Sequence, residues 1–203
     1  EKKGFYRKAA YIYEKAGNLR KAAVNFEKWF LTNSDTSVGF HKSDQLDKDL
    51  YKAVDLYLKI DEADRAYDLL VKNNKFDKAA RVAVKLGKLE EAAKLFEKAQ
   101  MPMQAAEVYE KIDNPRMAFQ LRGEDALARG QMAEAAEWFK KGEDYIRAAE
   151  FFEWEKEFEK AAQSVQKALE LNPNSADAWA GYWNFLLLMN RQEEALAAIR
   201  KAV

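Results

Sequence analysis

Three alanine pairs constrain this chain more than any other feature. Ala79, Ala92 and Ala105 stand thirteen residues apart, and each opens an Ala-Ala pair. Four positions after the first alanine of each pair comes Ala83, Phe96 or Tyr109. Residues four apart share one face of a helix, so each unit is a small patch followed by a larger one on a single stripe. Small residues let a neighbouring helix approach, and the residue four later fills the space beside it. A period of thirteen residues holds a helix of roughly ten residues, about 15 Å long, and a turn of about three. Such a helix is unstable alone in water. It must bury its stripe against neighbours, and stacked neighbours form a continuous core.

One long amphipathic helix or coiled coil is the competing arrangement. Gly17-Asn18, Asn73-Asn74, Gly87, Pro102, Asn114-Pro115, Gly130 and Gly142 recur between the apolar stripes and argue against it, because Gly and Pro interrupt helices most strongly. Two successive segments then make one antiparallel hairpin. The expected fold is all-α: a right-handed α-solenoid of about six antiparallel hairpins.

The pattern can be followed along the chain. Gly4 to Ala16 reads as the first helix and Leu19 to Leu31 as the second, with Ala9 and Ala22 again thirteen apart. Residues 32–45 break the period. They are rich in turn formers, carry only Val38 and Phe40 as large apolar residues, and read as an irregular loop. Such a loop is either a spacer or a contact surface, with Phe40 the candidate contact. Helix is expected from near Asp44 to about Ile60, and Ala53, Ala66, Ala79, Ala92, Ala105 and Ala118 keep the phase. The Ala118 segment follows Pro115, a residue favoured at a helix start, and is expected to run through Gly123 to Arg129. The step from Ala118 to Ala135 is seventeen, Ala135, Ala148 and Ala161 return to thirteen, and Ala161, Ala178 and Ala195 are again seventeen apart. Residues 1–160 therefore read as a short-hairpin array, and 161–203 as a continuous but longer repeat.

The seventeen-residue region resembles a known family. Lys167-Ala168-Leu169-Glu170-Leu171-Asn172-Pro173-Asn174 resembles the junction between consecutive tetratricopeptide (TPR) repeats. Ala176-Asp177-Ala178-Trp179 looks like the opening of a first helix, and Glu194-Ala195-Leu196 like the second helix. Tyr182-Trp183 stands where the family favours Leu-Gly, and Asn190 where it usually has Gly between the helices. Residues 1–160 are similar to the short hairpins of soluble NSF attachment proteins and of vesicle-coat and intraflagellar-transport solenoids. The resemblance implies a TPR-like protein that holds other proteins.

Composition excludes several function classes. Lys plus Arg and Asp plus Glu are equal at 34 each, which does not suit a nucleic-acid surface. There is no Cys, so disulfides and thiolate metal sites are absent from the sequence. A reducing, cytoplasmic setting is the expectation. The longest dense apolar run, Phe185 to Met189, is far short of the roughly twenty residues that span a bilayer. A chain beginning Glu1-Lys2-Lys3-Gly4 without Met is expected to be an excised or processed piece.

Catalytic chemistry is not visible either. The one His, His41, cannot make a Cys–His pair, and no Gly-x-Ser-x-Gly elbow or phosphate-binding Gly-rich loop accompanies it. The carboxylate pairs Asp61-Glu62, Glu90-Glu91 and Glu193-Glu194 stand beside basic residues or near helix starts, where acids favour the helix dipole. No enzyme activity, cofactor or metal is expected.

What remains is a binding surface. Stacked hairpins expose a face lined by one helix of each pair, and aromatic residues are the usual anchors of interfaces. Tyr182, Trp183 and Asn184 are the candidate contacts there, with Trp179 expected to pack between helices. The TPR subclass that clamps a C-terminal carboxylate needs Lys and Asn at set positions. Asn184 matches, but Ala180 stands at the Lys position, so this subclass is not expected. Leu196, Ile199 and Val203 give the last helix an apolar stripe that must pack on Ala178 to Met189 or be covered by a partner or a further domain of the same polypeptide. Two functional readings follow: a non-catalytic protein-interaction scaffold binding a protein or peptide, or the recruitment arm of a larger kinase or protease whose catalytic domain lies elsewhere.

Overall fold

The computed structural model describes residues 5–34 and 40–202. Among the described residues there are thirteen helices and no strand. The chain forms two compact units, Glu1–Ala99 and Gln100–Val203. The first contains α1 (Phe5–Lys15), α2 (Leu19–Ser34), α3 (Phe40–Lys59), α4 (Ala63–Lys72), α5 (Phe76–Lys85) and α6 (Leu89–Lys98). The second contains α7 (Pro102–Lys111), α8 (Pro115–Ala128), α9 (Met132–Lys141), α10 (Tyr145–Trp154), α11 (Phe158–Leu171), α12 (Ala176–Leu188) and α13 (Gln192–Ala202). Within each unit every helix packs against the next. Each unit is an all-α array of helical hairpins, as the spacing predicts.

The period is set by the turns. Asp61, Asn74, Gly87, Gln100 and Asp113, thirteen residues apart, all adopt positive φ, as do Gly17, Gly130, Glu143, Lys156 and Asn190. The residue after each of several of these closes the turn with a long-reaching backbone bond. Asn18 N–H donates to the Tyr13 carbonyl at 2.9 Å, Lys88 to Ala83 at 2.9 Å and Arg191 to Leu186 at 2.8 Å. A left-handed residue with this bond satisfies the orphan carbonyls of the helix end and turns the chain back on itself. Gly142, which reads as a break in the sequence, is not the left-handed residue; Glu143 beside it is. Gly142 is small for another reason, since a Cβ there would stand 3.2 Å from the Phe119 Cβ.

The phased alanines are the contact points. Ala22, Ala53, Ala66, Ala79, Ala92, Ala105, Ala118, Ala135, Ala148 and Ala161 are fully buried. Gly123 extends this logic, because a Cβ there would lie 2.7 Å from the buried Phe139 ring. It sits inside α8, which runs through it to Ala128 as the sequence indicates.

Residues 32–45 differ from the expectation of a loop. Helix α2 continues to Ser34, α3 begins at Phe40, and residues 35–39 lie outside the described residues. The cause lies in α3, where Leu46, Asp49, Leu50, Ala53, Val54 and Tyr57 form one buried face that carries the helix back past Asp44. Asp49, only 1% exposed, holds α1 and α2 to it. Arg7 Nε pairs with its carboxylate at 2.9 Å, and Trp29 Nε1 donates to it at 3.1 Å. A buried carboxylate needs such partners.

Candidate functional site

The seventeen-residue spacing gives α11 fourteen residues and α12 thirteen, about a turn more than the ten-residue helices of the short array, such as α5 and α6. Ser175 starts α12 by accepting a hydrogen bond from Ala178 N–H at 3.2 Å, the usual Ser cap of an orphan N–H. Behind it, Trp179 Nε1 donates to the Pro173 carbonyl at 2.8 Å. That bond fixes the indole over the α11–α12 junction. Tyr182 meets Trp179 edge to face, ring centroids 6.3 Å apart.

These two rings form part of a groove of about 360 Å³. Gln166, Leu169 and Glu170 from α11 make one wall, and Glu194, Ala197 and Ala198 from α13 make the other. The small side chains of Ala197 and Ala198 leave the space open. Each acid at the rim is held by its own neighbour. Lys167 Nζ lies 2.6 Å from Glu170 Oε2, and Arg191 grips Glu194 with two bonds of 2.8 and 2.6 Å. The Arg191 hydrogen bond holds the Glu194 carboxyl below the usual carboxylate range. The groove is therefore an apolar, aromatic slot with charge-paired edges.

The candidate residues named from sequence divide between different surfaces. Tyr182 lines the groove. Trp183 is half-buried and packs on a small terminal cluster of Leu186, Ala195 and Ala198. Asn184, next to it, is exposed. The side chains of Phe40 and His41 lie outside the described residues. Trp179, expected to pack between helices, is half-buried against the cores of both α11–α12 and α12–α13. Trp138 packs on Phe119, stacked at 5.8 Å, whereas Trp154 is 75% exposed at the end of α10.

The groove-lining Gln166, Glu170, Ala197 and Ala198 do not stand out in the sequence. The one signal there is the pair Ala197-Ala198, small residues adjoining an aromatic helix. One carboxylate of each pair has a structural partner, Glu194 through Arg191 as above. Glu62 pairs with Arg20 at 2.8 Å, and Glu91 accepts a hydrogen bond from Tyr67 at 2.8 Å. Among the described residues, no group of three or more His, Cys, Asp or Glu is placed to hold a metal ion. No described helix is long and apolar enough to cross a membrane.

No family model matches the chain, and no curated protein matches it. Solved structures that it resembles include a mutant of MamA, at 17% identity over 98% of this chain and 90% of that one, with a TM-score of 0.39. The TPR2AB domain of yeast Sti1 in complex with pHSP90 is similar at 15% identity over 98% of this chain and 89% of that one, TM-score 0.37. The TPR domain of P58(IPK) is similar at 17% identity over 100% of this chain and 60% of that one, TM-score 0.40. Likeness at this level transfers no site and no partner.

Proposed function

We propose that this chain is a non-catalytic protein-interaction scaffold and that the groove over α12 is where a peptide or protein partner engages it. The groove carries this reading. Its volume of about 360 Å³ falls near the lower end of the roughly 300–1,000 Å³ of ligand sites, room for one or two side chains of a partner. Its base holds two aromatic side chains already fixed by a hydrogen bond and a ring contact, so docking orders little that is not ordered already. Aromatic anchors in such slots dominate binding energy. Trp183 and Asn184 lie on neighbouring faces of the same helix and extend the contact area; Phe40 is a separate candidate in the first unit.

The test is selection of a displayed random peptide library on the full chain, followed by affinity measurement with two groove variants. Selected peptides are expected to bind the wild type and to lose about tenfold or more with Tyr182→Ser or Gln166→Arg, while circular dichroism shows unchanged helix. Peptides that bind both variants as well as the wild type would place the binding surface elsewhere. Failure to select any peptide would count against the scaffold reading.

A further inference from the structure

Helix α10 lies in the middle of the second unit, with α9 and α11 packed against it, and it keeps one face open. Ala148, Ala149 and Phe152 are buried on the packed side. At about 100° per residue, Ile146, Glu150, Glu153 and Trp154 share an arc of about 100° away from them, and all four are exposed. Trp154 is 75% exposed and Ile146 42%.

Elsewhere in this unit the protein satisfies such groups itself. Over the Trp138 ring of α9 lie Lys141, 4.2 Å from its centroid, and Arg122, at 5.1 Å. Glu110 pairs with Arg122 at 2.8 Å, Glu124 with Arg147 at 3.5 Å and Glu159 with Arg191 at 3.5 Å. The α10 face has neither kind of contact. Among the described residues, no cation lies over Trp154 and no side chain pairs with Glu150 or Glu153.

The charge around this face is one-sided. Residues 100–203 carry eighteen acidic and thirteen basic side chains, and residues 143–159 alone carry seven acidic and two basic ones. The acidic excess of the second unit is thus the excess of α10 and the turns beside it. Acids alone would stay solvated and ask for no partner. An open indole among unpaired carboxylates differs, because one group satisfies both. An arginine guanidinium stacks on an indole face and pairs with carboxylates through its planar fork. Glu150 stands one turn before Trp154 on the same stripe, and Glu153 adjoins it. Ile146 lies about 12 Å along the axis from Trp154 and takes an apolar side chain.

We propose that the Ile146–Trp154 face of α10 is a second docking surface, fitted to a basic segment of a partner protein that lays an arginine over Trp154 beside Glu150 and Glu153 and an apolar side chain on Ile146. Its chemistry separates it from the groove over α12, whose rim acids Glu170 and Glu194 are already held by Lys167 and Arg191. The groove asks its occupant for no charge, whereas the α10 face asks for positive charge.

The test uses the full chain and a library of alanine-based peptides in which Arg, Leu and Glu are scattered at random. Retained peptides are expected to be enriched in Arg and Leu and depleted in Glu. One of them is then titrated into isotopically labelled protein, in which the Trp154 indole signal is assigned by its loss in Trp154→Phe. That signal is expected to move while those of Trp179 and Trp183 stay in place. Affinity is expected to fall about tenfold or more in the double variant Glu150→Lys with Glu153→Lys, to fall with rising salt, and to stay within about twofold in the groove variant Tyr182→Ser. Both substituted glutamates are exposed, and circular dichroism checks that the variant keeps its helix. A library that retains no peptide, or retains peptides without Arg enrichment, overturns the proposal. So does an Arg-rich peptide that binds the double variant as tightly as the wild type. Movement of the Trp179 and Trp183 signals alone also overturns it and leaves the groove as the surface that was bound.

Discussion

Helices α4–α6 and helices α11–α13 are written in the same phrase, a buried alanine followed four residues later by a filler, and they treat the filler differently. In α4, α5 and α6 the fillers are Leu70, Ala83 and Phe96, and all are buried. In α11 the filler Val165 is buried too, but in α12 it is Tyr182, half open to the groove, and in α13 it is Ile199, 40% exposed. The short helices use their whole stripe in stacking. The longer α12 instead carries Tyr182, a filler that stacking does not fully cover and that lines the groove. Position in the repeat therefore does not decide whether a residue is core or contact; the neighbour packed over it does.

The largest test of this contrast is truncation of matching fillers. Phe96→Ala is expected to lower stability by about 3–5 kcal/mol, measured by urea denaturation. Tyr182→Ala is expected to lower it by under about 1 kcal/mol while abolishing groove binding. Equal losses would mean that Tyr182 is core and the contrast is false. Next in size is overfilling. Ala92→Leu, at a fully buried position, is expected to lower stability by about 1–3 kcal/mol. Ala197→Leu, on the wall of the groove, is expected to change stability by less than about 0.5 kcal/mol and to reduce peptide affinity.

The turns offer a finer comparison. The α5–α6 turn uses Gly87 at φ 74° and the α12–α13 turn uses Asn190 at φ 60°. Gly87→Ala is expected to destabilise by about 1 kcal/mol, because an L-residue is strained there. Asn190→Gly is expected to change stability by only about 0.5 kcal/mol or less, since Asn tolerates this conformation.

The smallest effect concerns pH. Tyr67 in α4 is partly buried and donates its hydroxyl to Glu91 of α6. Burial first, then that hydrogen bond, push its pKa from 10.0 up to about 12. The folded state thus favours the neutral phenol. The stabilisation is fully present below the ordinary tyrosine range and is lost as pH rises from about 10 to 12. Chemical denaturation across that window is expected to show a steeper loss for the wild type than for Tyr67→Phe. The difference should be under about 1 kcal/mol, because the pair is partly solvated. An identical slope in both proteins would remove this contact from the account of α4–α6.

Much of this is legible in the residues. The alanine phase, the pairing of small and large positions and the longer repeat after Ala161 follow from side-chain volume at helical spacing, and each is seen in the packing. The turn positions are half legible. Gly17, Gly87 and Gly130 announce a left-handed residue, but Gln100, Glu143 and Lys156 adopt the same conformation with no local signal. The start of α3 is hidden because residues 32–45 are polar, while the burial of Leu46, Asp49 and Leu50 against α1 and α2 depends on residues far away in sequence. The groove is the least visible feature. Tyr182 and Trp179 stand out as aromatics, yet the walls are a Gln, a Glu and two alanines whose role comes only from the gap between α11 and α13.

Amide hydrogen exchange of the full chain, with and without a peptide selected from the displayed library, tests the central claim most directly. Binding is expected to slow exchange in α11, α12 and α13 and to leave α4, α5 and α6 unchanged. Slowed exchange in α4–α6 with none in α11–α13 would show that the closed stretch, and not the open one, is the surface that holds a partner.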